Sequence, residues 1–182
     1  MDKKAFRKEV LAKIAALSEE YISLSNSGIF ENVTALPEFV NAKSIFAYIS
    51  EKREPDTVRI IEKALELGKT VALPVSYDGG IMVPKVIESL DELEIGKFGI
   101  PAPKEDAPVL CEEDIDLIIV PAVTFDKNGY RLGRGGGYYD RFLERSKAVS
   151  VGLGREELIC QVPVEAHDMP VKYLVTESRI YK

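Results

Sequence analysis

Arg131, Arg134 and Asp140 lie within a run of ten positions that also holds Gly133, Gly135, Gly136 and Gly137. Glycine lets a main chain come close to a ligand. A helix beginning at Tyr138 would turn its unpaired N–H groups toward an anion. Two guanidinium groups add charge there, and each hydrogen bond from guanidinium to phosphate contributes about 1.5 to 3 kcal/mol. Asp140 would repel a phosphate unless a cation lay between them, and Mg²⁺ has the oxygen preference for that place. The run therefore reads as a phosphate site. Tyr138 and Tyr139 can wall a flat ring or enter the core. The same residues also describe a surface loop with a glycine cap. Three consecutive glycines weigh against that account, because they cost conformational entropy and help no cap beyond the first. The loop lacks the Gly-Lys-Ser/Thr ending of a Walker motif and does not match GxGxxG.

Candidates elsewhere are weaker when read alone. Lys3 and Arg7 are four apart and project on or beside the arc of Phe6, Val10 and Ile14. Positive charge in a first helical turn opposes the dipole, so these cations call for a partner, unless the terminus frays and water solvates them. Lys4 is the alternative lysine, at a different angle. Glu54 precedes Pro55, a favoured first helical residue, and reads as an acid near a helix start. Glu51 competes with it. Asp168 reads as a turn residue and Asp126 as a brace accepting main-chain hydrogen bonds. His167 is the only histidine, which argues against a metal or triad role and for a loop position. Cys111 and Cys160 have no metal spacing and require no disulfide.

Positioning these groups falls to alternating strands and helices. Residues 3–25 have helical periodicity through Phe6, Val10, Ile14, Leu17 and Tyr21. Residues 44–50 read as a strand, and 55–67 as a helix closed by Gly68. Two strands at 70–74 and 80–87 flank a Tyr-Asp-Gly-Gly turn, and 96–108 reads as irregular. Residues 116–120 read as the strand before the glycine loop and 138–145 as the helix after it, with Phe142 and Leu143 inward. Further strands are expected at 148–152 and 173–176, with 179–181 closing the chain. This alternation predicts one three-layer α/β/α Rossmann-like domain over residues 1–182, with a mostly parallel sheet and ligands beyond the carboxyl ends of its strands.

Composition narrows the class. At 182 residues and 46% hydrophobic content the chain can bury a full core. A net charge of −6 and a pI near 5.0 argue against a nucleic-acid partner. The N-terminal residues mix charges throughout and do not read as a signal peptide, and no apolar run approaches the ~20 residues of a membrane span. A soluble cytoplasmic protein is expected.

Taken whole, residues 117–145, LIIVPAVTFDKNGYRLGRGGGYYDRFLER, resemble the signature of the 5-formyltetrahydrofolate cyclo-ligase family. There a strand, a Pro-Ala/Gly turn, an aromatic-Asp pair and R-L-G-(R/Y)-G-x-G-Y-Y-D recur. The resemblance extends to residues 3–7, 44–57, the FGIP element at 98–101 and VPVEAHD at 162–168. It implies cyclisation of 5-formyltetrahydrofolate to 5,10-methenyltetrahydrofolate with ATP and Mg²⁺, releasing ADP and phosphate, by a monomer. It assigns nucleotide contacts to Lys3 or Lys4, to Arg7, and to Arg131, Leu132, Gly133, Arg134, Gly135, Gly136, Gly137, Tyr138 and Tyr139. Folate contacts fall to Ile49, Glu54 and the stretch from Arg134 through Gly135, Gly136 and Gly137 to Tyr138. Mg²⁺ falls to Asp140 and Asp168, and catalysis to Arg134, Arg131 and Lys3. The sequence departs at Gly136, where some members carry a lysine, which shifts phosphate neutralisation to the remaining cations. In the mechanism so implied, the formyl oxygen attacks the γ-phosphate and N10 then attacks the activated carbon. A different formamide or amide substrate, a non-catalytic nucleotide or folate sensor, and the number of glutamates on the folate stay open.

Overall fold

The computed structural model describes residues 2–182, the side chain of Phe98 excepted, so that part of the FGIP element lies outside the described residues. Helices α1 (Lys3–Ala16), α2 (Glu19–Ala35) and α3 (Pro37–Asn41) precede strand β1 (Ser44–Phe46). Then follow α4 (Val58–Glu66), β2 (Thr70–Ser76), β3 (Met82–Ile87), and the short strands β4 (Glu94–Ile95) and β5 (Pro101–Ala102). Strands β6 (Leu117–Val120), β7 (Thr124–Phe125) and β8 (Arg131–Leu132) lead to α5 (Tyr138–Arg145), β9 (Val149–Leu153), β10 (Tyr173–Val175) and β11 (Ile180–Tyr181).

Seven strands form the central sheet in the order β11-β10-β9-β6-β1-β2-β3. All pairings from β10 to β2 are parallel, and the two edge pairings, β2 with β3 and β10 with β11, are antiparallel. Alternation along each inner strand sorts side chains to two faces. Ile45, Val71, Leu73, Leu117 and Ile119 pack with Ile29 and Val33 of α2, Phe39 of α3, and Ile60, Ile61 and Ala64 of α4. Phe46, Ala72, Ile118 and Val120 face Phe142 and Leu143 of α5. A third cluster seats Val10 of α1 on Val123, Leu132 and Val162. The expected three layers and mainly parallel sheet are thus present.

The connections diverge between neighbouring strands β1 and β6. From β1 the chain passes through α4 to β2 on one side, and from β6 through α5 to β9 on the other. Such a switch point opens a crevice beyond the strand ends. The segments that enter it are 47–54 after β1 and 121–137 after β6.

Several expected boundaries shift, each for a local reason. The single helix over 3–25 is two helices, because Leu17 and Ser18 are extended and the Ser18 hydroxyl accepts the Tyr21 N–H at 3.1 Å. Glu19 and Glu20 add the acidic first turn that favours a helix start there. The remainder of α2 and all of α3 had no counterpart in the periodicity reading. The strand expected over 44–50 ends at Phe46. Pro55 is not the first residue of a helix, since α4 begins at Val58. Thr57 is fully buried instead in a knot, its hydroxyl donating to the Tyr48 carbonyl at 2.5 Å and accepting from Ser50 N–H at 2.9 Å. Residues 96–108 are not wholly irregular, because β5 pairs with β4. The helix expected over 138–145 is α5 itself.

Candidate functional site

Segment β7–β8 projects Arg131 toward the crevice. Asp126 shapes the connecting turn by accepting the N–H groups of Asn128 and Tyr130 at 2.8 and 3.0 Å, the brace expected of it. Beyond β8 the glycine loop turns into α5 through Gly135 at φ 102° and Gly137 at φ 64°. Side chains rarely adopt these angles, so glycine is required at both. Arg141, one helical turn on, donates to the Gly136 carbonyl at 2.7 Å and to the Gly80 carbonyl at 3.3 Å.

A cavity of about 700 Å³ opens at this point. Lys3, Arg7, Ile49, Glu54, Arg131, Gly133, Arg134, Gly135, Gly136, Gly137, Tyr138, Tyr139, Asp140 and Asp168 all line it. Most of the residues singled out in the sequence therefore share one space. Lys4 is exposed and lies outside the lining, so of these two lysines Lys3 is the one at the cavity. Leu132 also lies outside it, 1% exposed beneath α1, leaving only its main chain for the loop.

Three pairings of opposite charge organise the lining. Arg131 Nη2 donates to Asp140 Oδ1 at 2.6 Å, and its Nη1 to the Met169 carbonyl at 2.6 Å. Burial works against the Arg131 charge and lowers its pKa, with Asp140 offsetting part of the effect. Lys3 Nζ lies 2.7 Å from Asp168 Oδ2 and 3.0 Å from Glu165 Oε2. Partial burial opposes the Lys3 ammonium, but Asp168 and Glu165 outweigh it and raise its pKa. Arg134 Nη2 reaches Glu54 Oε1 at 2.8 Å and also bonds Glu51. Arg7 Nε donates to the Gly133 carbonyl at 2.8 Å, which ties α1 to the glycine loop.

Carboxylate oxygens are the ligands a hard divalent cation prefers, and of the two aspartates Asp140 has one open to it, whereas Lys3 holds both oxygens of Asp168. Every hydrogen bond that Asp140 receives among the described residues falls on Oδ1, from Arg131 and from Met169 N–H, which leaves Oδ2 for another partner. Met169, next in the chain to Asp168, donates its N–H to Asp140 Oδ1 at 3.3 Å, and both aspartates line the cavity. His167 is exposed, and its ligand atom lies with those of Glu165 and Asp168 within 4.8 Å of one another. The Lys3 ammonium already bridges the two carboxylates of that group.

The family model for the 5-formyltetrahydrofolate cyclo-ligase family matches residues 1–177. The chain belongs to that family. It is thereby an enzyme of the ligase type. A 5-formyltetrahydrofolate cyclo-ligase of Escherichia coli K12 is 35% identical over 153 residues, covering 80% of this chain and 84% of that protein. One from Mus musculus is 31% identical over 190 residues, covering 97% and 94%. The solved structure of Aquifex aeolicus 5,10-methenyltetrahydrofolate synthetase superposes with a TM-score of 0.87 at 37% identity, covering 100% of this chain and 93% of that one. No described helix is long and apolar enough to cross a membrane.

Some residues lining the cavity were not singled out from sequence. Tyr48, Met82 and Lys97 line the cavity without a local motif, and Pro121 and Ala122, the Pro-Ala turn of the signature, line it without having been assigned a contact. Arg141 had a usable signal, since one turn after Gly137 it faces back along the helix to the loop. Tyr139 Oη is buried with no hydrogen-bond partner among the described residues, and the ring stacks 6.4 Å from Phe46. Burial pushes its pKa up.

Proposed function

We propose that this chain cyclises 5-formyltetrahydrofolate to 5,10-methenyltetrahydrofolate, consuming ATP and releasing ADP and phosphate with Mg²⁺ present. The observation that carries the reading is the Arg134–Glu54 contact, which joins the glycine loop to the loop after β1 inside one cavity. One partner suits a phosphate and the other suits the N–H donors of a reduced pterin. Their proximity brings the two substrates' reacting ends together, which is the main requirement of phosphoryl transfer.

Lys3, Arg7, Arg131 and Arg134 are the groups to neutralise the phosphates, beside the main-chain N–H groups at the start of α5. Asp140 and Asp168 are the groups to hold Mg²⁺, which when bound supplies charge between carboxylate and phosphate. Glu54 orients the pterin, with Ile49 and Tyr138 against its ring. The formyl oxygen then attacks the γ-phosphorus, the bond to ADP breaks, and an imidate phosphate forms. N10 attacks the activated carbon and loses its proton, and the phosphate departs with the former formyl oxygen as the ring closes. Positioned charge does this work, so a chain with a single histidine suffices.

The test is incubation of the purified protein with (6S)-5-formyltetrahydrofolate and MgATP, following methenyl absorbance in the near ultraviolet together with ADP. The expected result is equal amounts of both products, and neither without Mg²⁺. ATP binding with no methenyl product would overturn the folate assignment.

A further inference from the structure

Arg155, just after β9, is 2% exposed and forms no ion pair among the described residues. Its contacts are main-chain carbonyls and one hydroxyl. Nη1 donates to the Ile22 carbonyl at 3.4 Å and to Ser25 Oγ, both on α2. Nη2 donates to the carbonyls of Arg53 at 3.4 Å and of Glu54 at 3.1 Å, in the loop after β1. Nε has no partner among the described residues. Burial disfavours the charge and lowers the pKa.

A buried guanidinium with no ion pair has only longer-range attraction, from Glu177 among others, to offset its desolvation, and that does not restore its pKa, so charge pairing does not explain its place in the core. What the planar fork does, and an apolar chain cannot, is reach two segments at once. It grips the main chain of Glu54 from behind while Arg134 meets the Glu54 carboxylate from the cavity side at 2.8 Å. Arg53, the neighbour in this grip, donates to the carbonyls of Leu17 and Ala15 at 3.3 Å, which anchors the same loop to the end of α1. A smaller cavity of about 310 Å³ beside the main one is lined by Arg155, Glu54 and Arg134 together.

We propose that Arg155 is a positioning residue for folate, fixing the Glu54 main chain so that its carboxylate meets the pterin. This rests on the folate reading above.

The experiment measures binding of (6S)-5-formyltetrahydrofolate without nucleotide, and of MgATP without folate, by titration calorimetry on wild type, Arg155→Lys and Arg155→Met. Circular dichroism accompanies each variant as a check on folding. Both variants should bind folate about tenfold more weakly while ATP affinity stays within about twofold, because Lys keeps the charge but cannot bridge both segments. Unchanged folate affinity in a folded variant, or equal loss for both ligands, would overturn the proposal. If neither variant folds, Ser25→Ala decides. It removes one anchor of the fork and should weaken folate alone by about two- to threefold, and no change would count against the assignment. A wild type that binds ATP but no folate would remove the folate reading, and this inference with it.

Discussion

Arg134 on the glycine loop and Glu54 on the loop after β1 are in contact at 2.8 Å across the crevice between the ends of β1 and β6. The Glu54 side chain is 16% exposed and that of Arg134 is 60% exposed. A water-facing cation thus rests on a mostly enclosed carboxylate. Nucleotide phosphates would compete for the first, and a pterin for the second.

Arg134→Ala should lower kcat/KM by about 10² to 10³, a magnitude typical of removing one donor to a developing charge. Its exposure keeps the stability change within about 0.5 kcal/mol. Steady-state kinetics beside a urea unfolding curve check both, and normal turnover would remove Arg134 from the catalytic role.

Glu54→Gln keeps the shape of the side chain but loses the anion. The KM for folate should rise about tenfold, with the KM for ATP much less affected. A rise in the ATP KM alone would reassign Glu54 to the nucleotide.

Asp140→Ala leaves Arg131, whose side chain is 4% exposed, without its ionic partner. Breaking a buried pair from one side costs about 3 to 5 kcal/mol. The shared site is only partly enclosed at Asp140, which is 23% exposed, so about 3 kcal/mol is expected, read from the denaturation midpoint. The Mg²⁺ concentration needed for half-maximal turnover should rise in the same variant.

Lys3 and Asp168 hold α1 to the 165–168 turn across 165 positions of sequence. Burial opposes the Asp168 charge, but Lys3 and the Glu165 N–H outweigh it and lower its pKa from 3.8. That contribution is present above the unfolded value and is lost as pH falls through the lowered one. The Lys3 pKa is raised from 10.5, so its contribution is complete below that value and is lost as pH rises through the raised one. The stability difference between wild type and Lys3→Met should therefore be flat across neutral pH and shrink as pH falls below 3.8 or rises above 10.5. A difference that persists undiminished in acid would show that the pair does not carry it.

Gly129→Ala tests the turn that presents Arg131. The residue sits at φ 83°, and a Cβ there would meet the Val171 carbonyl oxygen at 2.5 Å. Neither strain nor main-chain clash can relax cheaply, so a loss of about 2 kcal/mol or more is expected in equilibrium unfolding.

The sequence by itself determined the elements whose signals are local. The helix at 138–145, the strand before it, and the glycines that must turn between them follow from side-chain period and backbone freedom, which neighbouring residues decide among themselves. The Ser18 cap and the Thr57 knot were missed because polar side chains there chose main-chain partners over the helix that periodicity extended. The family motif pointed to residues that line one cavity, yet their meetings were decided only in the tertiary structure. Arg134 and Glu54 are 80 positions apart, and Lys3 and Asp168 are 165 apart. Sheet order β9-β6-β1-β2 brings those segments to one crevice, and no local pattern encodes which strands will be neighbours. Lys3 was separated from Lys4, and Arg155 was recognised at all, only when packing fixed which cations face inward and what they touch.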